Sequence, residues 1–253
     1  MSILRQEAAI LLLAVQFLTR LPVNSDSLWS AEREAAIPRY LPLVGAALGV
    51  LLAGLLWLLS AALPQSVAAL LVVSAGLLIT GAFHEDGLAD TFDGIGGGTD
   101  RAQALAIMRD SRLGTYGTLA LIVVFALKVA VLSALPLGLA CALLITTQAL
   151  SRLSAVGVMA TSHYVRDHGT GKPTAAGIST RSLLFASLCT GATLLVLAPW
   201  GKAATAVLLG TAFGHLAMRA LFERKLGGYT GDTLGAVQQA SEITALVLAL
   251  AWH

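Results

Sequence analysis

Charge is what this chain has least of. Only 12% of its 253 residues are Asp, Glu, Lys or Arg, about half of the ~25% found in soluble domains. So little charge cannot clothe a water-facing surface of this size, which excludes an ordinary cytosolic enzyme. A disordered chain is excluded too, because disorder goes with low hydrophobicity and high net charge. Here 57% of residues are hydrophobic and the mean hydropathy is +0.80. The formal net charge of +2 is too small to track phosphates, so no nucleic-acid partner is expected. Cysteine is equally sparse. Cys141 and Cys189 each lie inside an apolar run and read as small buried hydrophobes rather than a disulfide.

Long apolar runs take the place of charge. Stretches of about 17 to 25 apolar residues are candidate membrane spans. Six read as spans, at 41–63, 67–83, 116–135, 139–160, 182–198 and 203–222, and a seventh, 234–252, begins polar and ends apolar. Pro64 and Pro136 mark tight turns that pair spans as hairpins. The run 8–21 is shorter and holds Gln16 and Arg20, so it reads as an interfacial or half-buried helix. It ends in Arg20-Leu21-Pro22, a poor match to the small-residue cleavage site of a signal peptide. The expectation is an all-α integral membrane protein. It is one polytopic domain over 1–253, a bundle of about six or seven transmembrane helices plus the N-terminal interfacial helix, with the lipid bilayer around it.

The position of the few charges supports that reading. If the spans alternate, segments 1–40, 84–115, 161–181 and 223–233 share one side and hold twelve of the sixteen Lys and Arg residues. The opposite turns hold only Lys202, and Lys128, Arg152 and Arg219 lie within spans. The positive-inside rule makes the rich side cytoplasmic, which places the protein in the cell's inner membrane with its polar loops in the cytoplasm. The fourteen acids are more lopsided. All fall on that side or at its boundary, and six of them occupy residues 85–110. A cluster of acids at the mouth of a membrane helix is by default a functional site.

That cluster reads His84-Glu85-Asp86-Gly87-Leu88-Ala89-Asp90-Thr91-Phe92-Asp93-Gly94 and is expected to continue the second span directly. On a helix, Asp86, Asp90 and Asp93 then share one face within about 60° of arc. Like charges on one stripe repel, and near a helix C-terminus the macrodipole disfavours them further. A divalent cation offsets both. Aspartate oxygens are hard ligands suited to Mg²⁺, Ca²⁺ or Mn²⁺, and Mg²⁺ held by one or two carboxylates and completed by water and phosphate is the arrangement for phosphoryl transfer. Metal ligands are therefore expected among Asp86, Asp90 and Asp93, with Glu85 ligating from the flank. A solvated acidic helix end is the bland alternative.

Other residues extend the candidate site. The run Gly94-Ile95-Gly96-Gly97-Gly98 can cradle phosphate on its backbone N–H groups or serve as a flexible connector. Thr99 or Asp100 can cap a short helix through Met108. Arg109 and Arg112 either anchor at lipid headgroups or hold a pyrophosphate by forked hydrogen bonds. His84 is a candidate general base, as are the carboxylates. Arg152 is costly mid-span unless paired, and Lys128 is read as structural. Lys172, in a polar loop on the same side, is either a phosphate contact or an exposed lysine. His163 and His168 in that loop read as surface residues. Asp232 can cap the last helix, and Glu242 lies deep enough to face a cavity rather than lipid.

These segments resemble the cobalamin synthase family, integral-membrane enzymes that join the two halves of vitamin B12. The specific matches are H-E-D-G-L-A-D-T-F-D-G at 84–94 and I-M-R-D-S-R-L-G-T-Y-G at 107–117. Weaker ones are F-L-T-R-L-P-V at 17–23, R-Y-L-P-L-V-G at 39–45, Ser151-Arg152, G-T-G-K at 169–172, and G-G-Y-T-G-D-T-L-G-A at 227–236 followed by Glu242. The resemblance implies an adenosylcobinamide-GDP ribazoletransferase that depends on Mg²⁺. Adenosylcobinamide-GDP and α-ribazole, or its 5′-phosphate, would give adenosylcobalamin, or its 5′-phosphate, plus GMP, by attack of a ribazole hydroxyl on the cobinamide phosphate. It favours Arg152 for substrate phosphate and makes Asp232 a candidate second-site ligand or guanosine contact; Lys172 and Glu242, read from their positions, join the candidate substrate contacts. Self-association is compatible with the sequence. More distantly, Asp86-Gly87-Leu88-Ala89 is similar to the D-G-x-x-A opening of the CDP-alcohol phosphatidyltransferases, with Asp90 where that motif carries Arg. Two rival readings remain: a related membrane phosphotransferase acting on a lipid or prenyl alcohol, and a transporter. A transporter should carry its acids near mid-membrane, whereas here they cluster at one face.

Overall fold

In a bilayer the backbone must satisfy its own N–H and C=O groups, which leaves helices and closed barrels as the only spanning structures. The computed structural model describes residues 3–23, 26–166 and 178–253, and among them the regular structure is helical throughout. Helix α1 (Ile3–Leu18) is too short to span and buries one stripe, Ile10, Leu13, Ala14 and Leu18. It is tied down by Glu7, which accepts hydrogen bonds from Arg39 at 2.5 Å and Tyr40 at 2.7 Å. Helix α2 (Ala31–Ala36), capped by Ser30, passes through a 3₁₀ turn at Ile37–Tyr40 into α3 (Leu41–Ser60). Pro64 then starts α4 (Gln65–Thr80).

Here the structure corrects the sequence reading. The acidic segment does not continue the second span. Gly81 and Ala82 both adopt left-handed backbone, φ +66° and +55°, and α5 (Phe83–Gly97) leaves at 89° to α4. Glycine takes that conformation without strain, whereas alanine there carries a real cost. Arg20 braces the break: its backbone N–H donates to the Ile79 carbonyl at 2.7 Å and its side chain lies against Gly81. The predicted second span is thus one half of a bent pair.

The chain continues with α6 (Arg101–Ile107), α7 (Thr115–Ala134), α8 (Leu137–Thr161), α9 (Thr180–Thr193), α10 (Ala203–Leu226) and α11 (Gly231–Ala251). Asp100 caps α6 and Pro136 precedes α8. After α9 the chain tightens into a 3₁₀ stretch, Leu194–Trp200, which contains Pro199. Among the described residues six helical stretches are long and apolar enough to cross a membrane: Ala31–Ser60, Thr115–Ala134, Leu137–Thr161, Thr180–Trp200, Ala203–Leu226 and Gly231–Ala251. Counted as one span, the bent pair α4–α5 brings the number to seven. The chain is a multi-pass membrane protein. Cys141 and Cys189 are free and half-buried.

Lipid offers no hydrophobic drive between helices, so they pack through small residues that let backbones approach. The two most extensive pairings show this. On α3, Gly45 and Gly49 face α8: a Cβ on Gly49 would stand 2.6 Å from the Ile145 Cα, and one on Gly45 would strike the Gln148 carbonyl and the Arg152 side chain. On α10, Gly210 and Gly214 face α11, where a Cβ on Gly210 would stand 2.6 Å from the Ala245 Cα. Thr244 of α11 donates to the Gly210 carbonyl at 2.7 Å. Buried apolar side chains form two layers. One, with Leu52, Leu56, Leu132, Leu143 and Leu246, lies at the far end of the bundle. The other, with Ile10, Leu88, Phe222, Tyr229 and Leu234, lies near the acidic segment. Between them runs a belt of buried polar groups from α7, α8 and α11, including Lys128, Gln148, Arg152, Gln238 and Glu242.

Gly49→Leu and Gly210→Leu should each force a helix pair apart and lower the melting midpoint of the detergent-solubilised protein by several degrees. Gly54→Leu, at a position where an added Cβ meets nothing within 4 Å, should leave it unchanged. Differential scanning fluorimetry of the three variants checks this.

Candidate active site

The acidic stripe on α5 is graded. Asp86 is exposed, Asp90 half-buried and Asp93 buried. The break at Gly81-Ala82 reverses the expected electrostatics, because it puts Glu85 and Asp86 in the first turn of a new helix, where the macrodipole favours anions. The same holds for Asp93. Its carboxylate accepts the backbone N–H of Gly114 at 2.8 Å and of Gly117 at 2.9 Å, and so caps the start of α7 from outside. A Cβ on either glycine would collide with that carboxylate, which explains the glycines of Gly114-Thr115-Tyr116-Gly117. Helix N-termini therefore compensate part of the charge that the sequence reading assigned to a cation alone.

Asp90 remains uncapped. Its charged neighbours are the carboxylates Asp232, Asp86 and Asp93 and, among the described residues, a single counter-charge, Arg166. Asp232 arrives from the first turn of α11. It does not cap that helix, because Thr230 and Thr233 do so through a reciprocal capping box. Gly87 lets α5 approach: a Cβ there would stand 2.7 Å from the Asp232 carbonyl oxygen. Arg166, missed by sequence reasoning, sits 2.7 Å from Asp232. It is held there because Val165 N–H donates to Tyr229 O and Tyr229 N–H to His163 O, at 3.0 and 2.9 Å. Nothing but its place in a polar loop could have pointed to it.

The remaining candidates separate. Glu85 turns away from the stripe, accepts from Gln239 at 2.8 Å and lies 3.9 Å from Lys128. His84 points roughly 160° around the helix from Asp86, is buried, and stacks edge-on against Phe83. Arg152 is buried and donates to the Gln148 carbonyl and side-chain oxygens at 2.9 and 2.6 Å. Glu242 is held from three sides, by Lys128 at 3.0 Å, Gln148 at 2.7 Å and Gln238 at 3.0 Å. Lys128, read as structural, is its ion-pair partner. Arg109 and Arg112 stand exposed on the loop before α7. Arg112 grips Asp110 with both nitrogens of its fork and holds that carboxyl down to about 2. The glycine run is neither cradle nor connector. Gly94–Gly97 complete the last turn of α5, packed on Met108 and Tyr116, and Gly98 is extended. Lys172, His168 and the G-T-G-K segment lie outside the described residues.

Among the described residues no three His, Cys, Asp or Glu side chains converge as a closed metal cage. Asp86 and Asp90 from α5 and Asp232 from α11 are near enough to repel one another, but the three are not placed to ligate one ion together. That fits a cation that takes one or two carboxylates and fills its shell with water and phosphate, as Mg²⁺ does.

Among known proteins, residues 10–250 match the family described as Cobalamin-5-phosphate synthase. The chain is 41% identical over 259 residues to the adenosylcobinamide-GDP ribazoletransferase of Shewanella amazonensis, an alignment covering 100% of this chain and 99% of that protein. It is 42% identical over 255 residues to the protein of the same name from Leptothrix cholodnii, covering 97% and 96%. No solved structure matches it, so the likeness to CDP-alcohol phosphatidyltransferases rests on Asp86-Gly87-Leu88-Ala89 alone.

Asp93→Asn replaces one acceptor oxygen with a donor against a backbone N–H and removes the charge at a helix start. It should cost about 1–2 kcal/mol, read as a melting midpoint a few degrees lower. Asp90→Asn relieves repulsion and should leave the midpoint unchanged or raised. Lys128→Met strands a buried carboxylate and should cost about 3–5 kcal/mol. Adding Glu242→Gln should recover much of that loss in the same melting assay.

Proposed function

The chain belongs to the cobalamin-5-phosphate synthase family, and we propose that its reaction runs where Asp86, Asp90 and Asp232 meet. The activity is adenosylcobinamide-GDP ribazole transfer, the last step of cobalamin synthesis. The observation that carries the site assignment is that Asp86 and Asp90 of α5 and Asp232 of α11 lie close enough to act on one another, with Arg166 2.7 Å from Asp232.

In that reaction a hydroxyl oxygen of α-ribazole, or of its 5′-phosphate, forms a bond to the phosphorus carrying cobinamide. The pyrophosphate bridge breaks and its electron pair leaves with GMP. Asp86 and Asp90, at i and i+4 on one helix face, are the residues suited to hold Mg²⁺. When bound, that ion supplies neutralisation of the pyrophosphate and of the departing phosphate. Arg166 is the cation that an arriving pyrophosphate competes for. Moving it onto phosphate leaves Asp232 free to take the hydroxyl proton, so that donor and acceptor positions face each other across the gap between α5 and α11. Arg109 and Arg112, on the adjacent loop, offer forked contacts to the nucleotide's phosphates. The excess of Lys and Arg on this side of the spans supports a cytoplasmic active site in the inner membrane, where the nucleotide substrate is dissolved.

Washed membranes carrying the protein should release GMP from adenosylcobinamide-GDP and α-ribazole. EDTA should abolish the release and added Mg²⁺ restore it. Asp86→Asn, Asp90→Asn and Asp232→Asn should each lower kcat by about 10²-fold or more while the protein still inserts and melts normally. Full activity in all three variants would place the site elsewhere.

A further inference from the structure

Beneath the acidic cluster lies a cavity of about 490 Å³ that the chemistry above leaves unused. Its walls are apolar, with Val73 of α4 and Leu121 and Phe125 of α7 among them, and its inner end is polar, formed by Glu85, Arg152 and Gln239. Three buried atoms at that end have no hydrogen-bond partner among the described residues: Glu85 Oε2, Arg152 Nε and Gln239 Oε1. Arg152 and Gln239 are each only 2% exposed. Buried polar groups in native proteins are almost always satisfied, so a donor and two acceptors left open around one cavity mark places for a ligand. Ile122 lines the cavity and is also exposed on the outside of the bundle, so the cavity opens sideways at α7.

We propose that this cavity is the acceptor subsite and takes a flat apolar heterocycle carrying a sugar, the chemical class of α-ribazole. The proposal rests on the reading of the activity given above. The heterocycle lies among Val73, Leu121 and Phe125, and sugar hydroxyls, each both donor and acceptor, meet Arg152, Glu85 and Gln239. The volume lies within the roughly 300–1,000 Å³ of small-molecule sites and is far too small for a corrin macrocycle. A nucleoside diphosphate is disfavoured because the charges lining the cavity, Lys128 and Arg152 against Glu85 and Glu242, balance and leave nothing for its phosphates. A lipid tail has no use for the polar end. Glu85 adjoins Asp86, so a hydroxyl at that end lies next to the acidic cluster.

Gly76 supplies the test. It lines the cavity, and a Cβ there meets only the Leu52 methyls, at 3.5 and 3.9 Å. Gly76→Leu therefore fills the space without moving backbone. In steady-state GMP release it should raise KM for α-ribazole about tenfold or more, with KM for adenosylcobinamide-GDP and the melting midpoint unchanged. Gln239→Leu should raise the same KM and leave the other unchanged, with a lower melting midpoint because Glu85 loses its donor, and that KM split carries the test if Gly76→Leu melts early. Titration of the purified protein with α-ribazole alone, without Mg²⁺ or corrinoid, should show binding that Gly76→Leu weakens. Wild-type turnover with an unaltered acceptor KM in both variants overturns the proposal and leaves the cavity to lipid. If wild type releases no GMP, the activity reading fails by itself and the titration still decides: binding lost in Gly76→Leu supports the cavity as a riboside site, while no binding, or equal binding, overturns it.

Discussion

Lys128 and Glu242 meet 3.0 Å apart between the two apolar layers of the bundle, where neither charge is tolerated without the other. Satisfying that pair dictates much of the surrounding geometry. Glu242 needs further donors, which Gln148 brings from α8 and Gln238 from α11 itself. Gln238 also donates to Ser151 at 2.8 Å, and Gln239 reaches Glu85. Four helices, α5, α7, α8 and α11, are thereby held in one register by groups that have no water to fall back on. A straight continuation of α4 would carry Glu85 away from Gln239. The left-handed pair Gly81-Ala82 turns the chain so that the contact is made, and the same turn aims Asp86 and Asp90 at α11.

The acidic cluster is built on the positive ends of helices. Glu85 and Asp86 open α5, Asp232 opens α11, and Asp93 caps α7. Concentrating carboxylates at a low-dielectric boundary is costly, and helix N-termini are the cheapest fixed positive charge available there. What they leave uncompensated falls on Asp90, which has three carboxylates and one arginine as its charged neighbours among the described residues. Close approach of α5 and α11 depends on Gly87 and Gly235, whose missing side chains leave room for the facing backbone of Asp232 and His84.

The membrane class, the approximate spans and the segment that carries the acidic cluster were legible in the sequence, because hydropathy and the uneven distribution of acids are one-dimensional signals. The partners were not. Lys128 and Glu242 are 114 residues apart, and nothing in either run names the other. The turn at Gly81-Ala82 was hidden because Ala82 is an ordinary helix former placed in a left-handed well. Asp93 carried the periodicity of a ligand stripe, yet its carboxylate faces the backbone of another helix. The paired glycines at 45 and 49, and at 210 and 214, were visible as G-x-x-x-G, but which helix each pair faces emerges only in three dimensions. Arg152, expected at substrate phosphate, lies behind the site in the polar belt.

The grip of Asp93 on Gly114 and Gly117 has a consequence for the stretch of chain it encloses. Residues 98–113 leave the end of α5 and return to the start of α7 at a point fixed by one side chain, so the excursion is a loop closed at its base. For a loop closed in this way, lengthening the enclosed chain adds entropy only as the logarithm of its length, and the strain of an insertion dissipates within the loop instead of reaching the helices. The outer edge of this short helical excursion, with Arg109 and Arg112, is thus where size and sequence can drift while Ala104 and Met108 stay packed in the core and the carboxylates beneath stay in place.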